Sequence, residues 1–190
     1  MEYEDLLQNK DRYEISYYDL LLTDEWLSRR KEILLRDKNT CTTCGNFKSV
    51  SFFNVHGKKN YQIFGKDTKV EITLPDGSKK EVIAPSFKIS TKPLILHVHH
   101  RRYILGRLPW EYGGKDLITM CYECHMRFHE ENDVEVYNEN DNFLEKVNAI
   151  TCPKCKGAGS FPQYVKIQNG ICFTCKGTTY IVIDKNQKTT

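Results

Sequence analysis

The sequence has no long hydrophobic run, because no window holds the roughly 18 consecutive apolar residues that a membrane-spanning helix needs. Residues 1–5 are acidic and lack the apolar segment of a secretory signal peptide. We therefore expect a cytoplasmic protein with no membrane partner. No cysteine lies outside a C-x2-C pair, since all eight fall into four such pairs. Without a secretory signal, this pattern favours metal binding over four disulfides, which are the alternative for a secreted chain.

Charge is spread unevenly along the chain, although the net charge is only +3. Residues 86–110 contain five basic side chains and no acidic one, whereas residues 111–150 contain ten acids against three bases. Residues 151–190 contain six lysines and one aspartate. The basic segments suit contact with a phosphate backbone, and a solvated surface is the alternative interpretation.

The four C-x2-C pairs predict two closed structural zinc sites, because zinc prefers four tetrahedral ligands and two pairs supply four thiolates. The first two pairs are expected to form one site, which consists of Cys41, Cys44, Cys121 and Cys124. An alternative for this site replaces one cysteine with His125 or His129. The last two pairs are expected to form the other site, which consists of Cys152, Cys155, Cys172 and Cys175. Glycines just after these cysteines permit the tight turn of a zinc knuckle.

Hydrophobic spacing and turn residues divide the chain into four segments. Residues 1–22 are expected to form an N-terminal arm or helix, 23–132 a zinc-stabilised domain with a β-rich insert at 47–96, 133–150 a linker or helix, and 151–190 a zinc ribbon. The insert is predicted as a hairpin around the turn Pro75–Ser78, and it could grip substrate or act as scaffold. Thr23 is predicted to cap a helix that runs to about Lys38. Further predictions are strands at 94–98, 117–120, 162–167 and 180–183, and a helix at about 122–132.

Five histidines lie close to the cysteines of the first predicted site: His97, His99, His100, His125 and His129. Strand alternation places His97 and His99 on one face of the first strand, with His100 on the other. Helical spacing places His125 and His129 on one face of the following helix. A structural four-cysteine zinc site does not need these imidazoles, so they indicate a second kind of chemistry. We interpret His97 as a packed or surface residue.

Three motifs in strand–loop–strand–helix order resemble the HNH endonuclease family: Cys41-Thr-Thr-Cys44, Val98-His99-His100 and Cys121-Tyr-Glu-Cys124-His125. The match runs from Trp26 to His129. In that family a ββα-metal finger holds one divalent cation between the hairpin and the helix. The resemblance implies an α+β fold, with a small zinc-stabilised ββα-metal (HNH) domain that carries a β-hairpin insert and is followed by a small β-ribbon zinc module.

The resemblance also implies a metal-dependent endonuclease that hydrolyses DNA phosphodiester bonds and nicks one strand. His100 would be the general base that activates water. His99 and His125 would hold a catalytic Mg²⁺, Mn²⁺ or Ni²⁺, with His129 as a further ligand or phosphate contact. Three arginines after the base are expected to contact the nucleic-acid backbone: Arg101, Arg102 and Arg107. Cutting both strands would require a homodimer.

One position departs from the family pattern, because Asp116 stands where an asparagine usually precedes the stretch 117–121. An aspartate keeps the hydrogen-bond acceptor and loses the amide donor. Asp116 is therefore expected to orient His100, to join the metal, or to mark a chain with reduced or absent activity. The alternative function is a non-catalytic zinc adaptor that binds nucleic acid or a larger protein partner.

The C-terminal C-x2-C-x-G-x-G unit resembles the zinc-binding repeats of J-domain co-chaperones over residues 152–179. Thr179 replaces the last glycine of the second unit. The resemblance implies a metal site and not the chaperone function. Because this segment is basic, it could be a nucleic-acid-binding arm, and a protein-docking ribbon is the alternative.

Overall fold

The computed structural model describes residues 1–11, 14–140, 143–161, 164 and 166–183. These residues form a mixed α+β fold of four α-helices and four small sheets. The helices are α1 (Tyr3–Asn9), α2 (Tyr17–Leu20), α3 (Asp24–Arg36) and α4 (Tyr122–Glu131). The strands are β1 (Lys48–Phe53), β2 (Lys59–Thr73), β3 (Lys79–Ser90), β4 (Leu96–His100), β5 (Tyr103–Ile104), β6 (Leu117–Cys121), β7 (Val136–Asn140), β8 (Phe143–Lys146), β9 (Ala149–Thr151) and β10 (Tyr180–Val182). Every helix in this part of the chain is too short or too polar to cross a lipid bilayer.

Helix α3 begins where the sequence predicts, at the N-cap Thr23. The Thr23 hydroxyl accepts a hydrogen bond from the backbone N–H of Trp26 at 3.4 Å, which satisfies one of the free donors at the helix start. The helix buries Trp26 and Ile33 and packs onto the strands of the central region. Its core cluster consists of Trp26, Ile33, Ile104, Tyr112 and Leu117.

The predicted β-rich insert is a three-stranded antiparallel sheet in the order β1-β2-β3. The predicted hairpin is confirmed, and its turn places Gly77 at φ 83°, a conformation that glycine adopts without a Cβ clash. Strands β2 and β3 extend further than the sequence indicates, with an irregular register between Phe64 and Asp67. Ile63 is buried, so the base of this sheet is anchored to the rest of the molecule while the tip projects from it.

The central region is the antiparallel pair β4–β6 followed directly by α4. The register pairs His99 with Ile118 and His100 with Leu117. Both predicted strands and the predicted helix are confirmed, with bounds that differ by one or two residues. Because β6 runs straight into α4, this helix lies against the strand that carries the histidines.

Residues 133–150 correct the sequence analysis, which predicted a linker or helix there. They contain β7, β8 and the start of β9. Strand β7 adds in parallel to β5 and antiparallel to β8, and Val136 at its start is fully buried. Residues 136–146 are mostly polar and show no clear hydrophobic period, and β7 is placed by its pairing with the distant β5 as well as with the nearby β8.

The C-terminal strand pairing also differs from the prediction. Strand β10 pairs with β9, so the ribbon is closed by residues that precede its first cysteine. Of the predicted strand at 162–167, Tyr164, Lys166 and Ile167 lie in turns or a short 3-10 segment. The remaining three positions, 162, 163 and 165, lie outside the described residues.

Candidate metal centre and the surrounding cavity

The first cysteine tetrad lies where the C-terminal end of α3 meets the start of α4. The four Sγ atoms lie within 4.8 Å of one another, and those of Cys44 and Cys121 are 3.7 Å apart. A backbone hydrogen bond of 2.9 Å from Thr42 N to Thr119 O ties the first cysteine loop to β6. This tetrad can hold a structural zinc ion that joins residues almost 80 positions apart in the chain.

The second cysteine tetrad lies wholly within the C-terminal segment, and all four of its cysteines are buried. The Sγ atoms of Cys152 and Cys172 are 3.8 Å apart, and those of Cys155 and Cys175 are 3.7 Å apart. The Gly159 N–H donates to Cys155 Sγ at 3.3 Å, a contact typical of a knuckle that stabilises thiolate. The hydrogen bond from the Cys155 thiol lowers the pKa of Cys175. This tetrad can therefore hold a second structural zinc ion.

Three histidines converge beside the first tetrad. Strand β4 supplies His99, and successive turns of α4 supply His125 and His129. His125 Nε2 lies 3.1 Å from His99 Nδ1 and also 3.1 Å from His129 Nε2. One imidazole nitrogen carries either one hydrogen or one lone pair, so it cannot form two good hydrogen bonds at once. Two nitrogens that each lie about 2.1 Å from the same metal ion, with an angle of about 90° at the ion, are roughly 3 Å apart. The distances between the histidine nitrogens match this value.

Burial keeps these imidazoles in the neutral form that binds metals. It lowers the pKa of His99 to about 2 and that of His125 to about 3, and it lowers the pKa of His129 as well. At pH 7 each ring therefore offers a lone pair to a cation. His97 stacks on His125 with ring centroids 5.2 Å apart and stays outside the converging group, in the packed role that the sequence analysis gave it.

His100 faces the opposite side of β4, as strand alternation predicts. Its ring stacks on Trp26 with centroids 5.1 Å apart, and its Nε2 lies 2.9 Å from the carbonyl oxygen of Pro109. Because a carbonyl oxygen only accepts, Nε2 must carry the proton and Nδ1 must hold the lone pair. The Tyr17 hydroxyl lies 3.3 Å from Nδ1 and donates to it. Burial lowers the pKa of His100 to about 4, so the ring is neutral at pH 7.

Asp116 and the predicted arginines lie on another side of this region. Arg102 Nε lies 2.8 Å from Asp116 Oδ1 and forms an ion pair with it. The N–H of Arg102 Nε does not point at that oxygen well enough to form a hydrogen bond. Arg107 forms an ion pair with Glu139, and Arg101 is exposed. In the described part of the chain, Asp116 is not among the groups that gather around the three histidines.

A cavity of about 600 Å³ is lined both by the histidines and by the C-terminal ribbon. A Cβ on Gly157 would lie 2.5 Å from His129 Nδ1, so the first ribbon knuckle packs directly on the His129 ring. The second knuckle contacts α2, where Tyr17 N donates to Lys176 O at 3.3 Å. Sequence reasoning missed the part that Tyr17 and the ribbon play here, because neither adjoins the histidines in sequence and no motif marks the contact.

Comparisons with protein-family models, with curated proteins and with solved structures found no match for this chain. The geometry by itself therefore defines the class, which is a mixed α+β chain with two cysteine tetrads that can bind zinc. Any more specific function has to be argued from the histidines and the cavity beside them.

Proposed function

We propose that this chain is a metal-dependent endonuclease of the HNH type, which hydrolyses DNA phosphodiester bonds and nicks one strand. In this proposal β4, β6 and α4 form the ββα-metal finger. The observation that supports it most directly is the convergence of three neutral imidazole nitrogens, each 3.1 Å from its neighbour, at His125. A cytoplasmic location, and a homodimer for double-strand cutting, stay predictions of the sequence analysis.

The proposed chemistry assigns one role to each face of β4. His99, His125 and His129 would hold a divalent cation, which when bound polarises a phosphate oxygen and offsets charge on the leaving oxygen. His100 would accept a proton through Nδ1, the ring nitrogen that holds the lone pair. As the water oxygen bonds to phosphorus, the bond from phosphorus to the 3′ oxygen breaks, and that oxygen takes up a proton from solvent. The products are a 3′-hydroxyl and a 5′-phosphate. The Tyr17 hydroxyl must give way for water to reach Nδ1.

The contacts of Asp116 support a positioning role for this residue, which stands where the HNH family usually has an asparagine. Its backbone oxygen accepts from Arg101 N at 2.8 Å, directly after the proposed base, and its carboxylate pairs with Arg102. These contacts join the chain after His100 to the chain before β6. An aspartate can thus hold the base-bearing loop through an arginine, without the amide donor that it lacks.

The test is nicking of supercoiled plasmid by the zinc-loaded protein with Mg²⁺, Mn²⁺ or Ni²⁺. We expect His100→Ala to reduce nicking by about 10²-fold or more, because a general base contributes on that order. His56→Ala is the matched control, since His56 is exposed in the turn between β1 and β2 and should leave nicking unchanged. Equal nicking by wild type and His100→Ala would remove His100 from the mechanism.

A second candidate is a non-catalytic zinc adaptor for nucleic acid or a protein partner. The observation that favours it is the Tyr17 hydroxyl, which covers the one free nitrogen of His100. In that case no metal would support cleavage by folded, zinc-loaded protein, and Asp116→Asn would not restore it. Binding to nucleic acid or to a partner would persist in His100→Ala.

A further inference from the structure

Among the described residues, the lining of the cavity beside the three histidines carries basic side chains and no carboxylate. Three basic residues line it: Arg30 on α3 and, on the first knuckle of the ribbon, Lys154 and Lys156. No aspartate or glutamate is among the described residues around it. Within the described chain none of the three basic residues forms an ion pair. A zinc ion on the four thiolates of the second tetrad would carry a net charge of −2 beside Lys154 and Lys156, and the three basic side chains exceed it. The remaining positive charge favours an anionic ligand.

The arginines that the sequence singles out do not supply this charge. Arg102 and Arg107 are paired with Asp116 and Glu139, and neither lines the cavity. Arg101 is exposed and also lies away from the cavity lining. The basic groups that face the histidines therefore come from α3 and from the C-terminal ribbon, two segments that are far apart in the sequence.

The shape of the cavity restricts the size of that anion. Its volume of about 600 Å³ lies within the range of pockets that enclose small-molecule ligands, on the order of 300–1,000 Å³. The ribbon closes one side, because Gly157 packs against the His129 ring. A double helix is too wide to enter such a space, whereas one or two nucleotides of a single strand fit.

Aromatic residues at the cavity supply surfaces on which bases can stack. Tyr18 and Tyr122 line it together with the basic residues, and Tyr122 is 40% exposed. Proteins that bind single-stranded nucleic acid combine a positive groove with aromatic side chains, and each stacked base contributes about 1–3 kcal/mol. Positive charge, aromatic rings and restricted size thus coincide at one place.

We infer that this cavity binds one single-stranded segment of nucleic acid, with Arg30, Lys154 and Lys156 as its phosphate contacts. The inference rests on the proposed function for the reaction that follows, but binding itself does not require cleavage. The ribbon then forms one wall of the substrate site. The preferred substrate is a single strand or an unpaired region, such as the regions that negative supercoiling opens in a plasmid, and not an intact duplex.

The test measures binding of a fluorescein-labelled single-stranded DNA, and of the same sequence as a duplex, by anisotropy. Zinc-loaded protein is used without added divalent cation, so that cleavage does not interfere. The double variant Lys154→Gln, Lys156→Gln should weaken single-strand binding about tenfold. It should also lower the log–log salt slope by about 1.4, since each phosphate contact on a single strand contributes about 0.7. Arg30→Gln should lower the slope by about half that amount.

Lys176→Gln is the matched control, because Lys176 occupies the same position in the second knuckle as Lys156 does in the first. Both are exposed and both have positive φ, but Lys176 does not line the cavity. It should leave affinity and salt slope unchanged. Equal affinity for single strand and duplex, or equal losses in Lys156→Gln and Lys176→Gln, would overturn the inference.

The two proposals fail separately. Single-strand binding that depends on Lys154 and Lys156, in a protein that nicks nothing, would support the cavity and refute the nuclease. Nicking of plasmid that is insensitive to these lysines would support the nuclease and refute the cavity as its substrate site. Inductively coupled plasma measurement of zinc in every variant would establish that both tetrads are filled.

Discussion

The two cysteine tetrads have the same ligand set, but the first joins distant segments of the chain and the second joins neighbouring ones. The first brings together Cys44 and Cys121, which are 77 positions apart, and the whole three-stranded insert lies between its two pairs. The second joins Cys152 to Cys172 over 20 positions, with short turns between them. The first therefore fixes the helix α4 that carries two of the converging histidines, whereas the second shapes a ribbon that covers them.

This difference separates two kinds of contribution to one site. Zinc in the first tetrad would hold the histidines in place, since Cys121 is the N-cap of α4, which carries His125 and His129. Zinc in the second would hold the knuckles in place, since Gly157 contacts His129 and Lys176 contacts Tyr17. The comparison predicts that loss of zinc from the first tetrad disrupts the site formed by the three histidines. Loss of zinc from the second tetrad should instead expose that site to solvent.

The largest expected effect is the difference between Cys41→Ser and Cys152→Ser. Structural zinc contributes about 10–16 kcal/mol in small zinc-finger peptides at pH 7, and a whole domain is stable by only about 5–15 kcal/mol. Cys41→Ser should therefore unfold the central region, while Cys152→Ser should leave it folded. Far-UV circular dichroism and zinc content would show this, with the zinc of the altered tetrad lost from each variant.

The control for that comparison is limited proteolysis. Cys152→Ser should be cut within the ribbon and leave a resistant fragment that contains residues 23–132. Complete digestion of Cys152→Ser at the rate of Cys41→Ser would show that the two tetrads do not differ in the way proposed.

The next largest effect concerns two hydrophobic clusters, one in the central region around Trp26 and one around the second tetrad. Trp26 is only 4% exposed and stacks on His100, so Trp26→Ala should lower the free energy of unfolding by about 3–5 kcal/mol. Phe161 packs only partly buried against the second tetrad, and Phe161→Ala should cost about half as much or less. Denaturant unfolding with zinc present would measure both, and equal losses would argue against a larger role for the first region.

A smaller and more local effect is expected at Gly157. Gly157→Ala places a Cβ 2.5 Å from His129 Nδ1, so it should weaken metal binding by the three histidines at least tenfold. Gly77→Ala is the matched control, because Gly77 has a similar φ of 83° and open space around it. Both variants bear the backbone cost of about 1–2 kcal/mol. Titration of zinc-loaded protein with Co²⁺, read by its visible spectrum, would detect the difference.

Equal Co²⁺ affinity in Gly157→Ala and Gly77→Ala would mean that the ribbon does not press on His129 in solution. The ribbon would then be a separate module that does not contact the histidines in solution. The proposed difference, in which the first zinc positions the histidines and the second positions the ribbon over them, would then be wrong.

The smallest expected effect lies in the insert that separates the two halves of the first tetrad. Lys79 pairs with Glu71 at 2.7 Å near the hairpin tip, and both side chains are more than half exposed. Exposed pairs contribute little, so Lys79→Ala should change the free energy of unfolding by less than about 0.5 kcal/mol. A loss above about 1 kcal/mol in thermal or denaturant unfolding would show that the insert supports the first tetrad.

Local pattern was sufficient for elements whose signals are contained in a few neighbouring residues. The Thr23 cap, the alternation around His99 and His100, and the spacing of His125 and His129 each predict the geometry that is observed. Residues 133–150 are predicted as a linker or helix and contain strands, because β7 and β9 take partners, β5 and β10, that lie elsewhere in the chain. Strand β8 pairs with the nearby β7, and its 4 residues are too few to show a hydrophobic period.

The sequence by itself determined the two sets of four cysteines and the set of histidines, because ligand chemistry depends on residue type and on short spacing. Only the tertiary structure decided that the ribbon lies over the histidines, that Tyr17 covers His100 Nδ1, and that Arg30 shares a cavity with Lys154 and Lys156. It also decided that Arg102 and Arg107 are bound to acids. The physical reason is that the charge and shape of a site depend on all the groups that packing brings together. Those groups come from distant segments, so no single segment of the sequence reveals them.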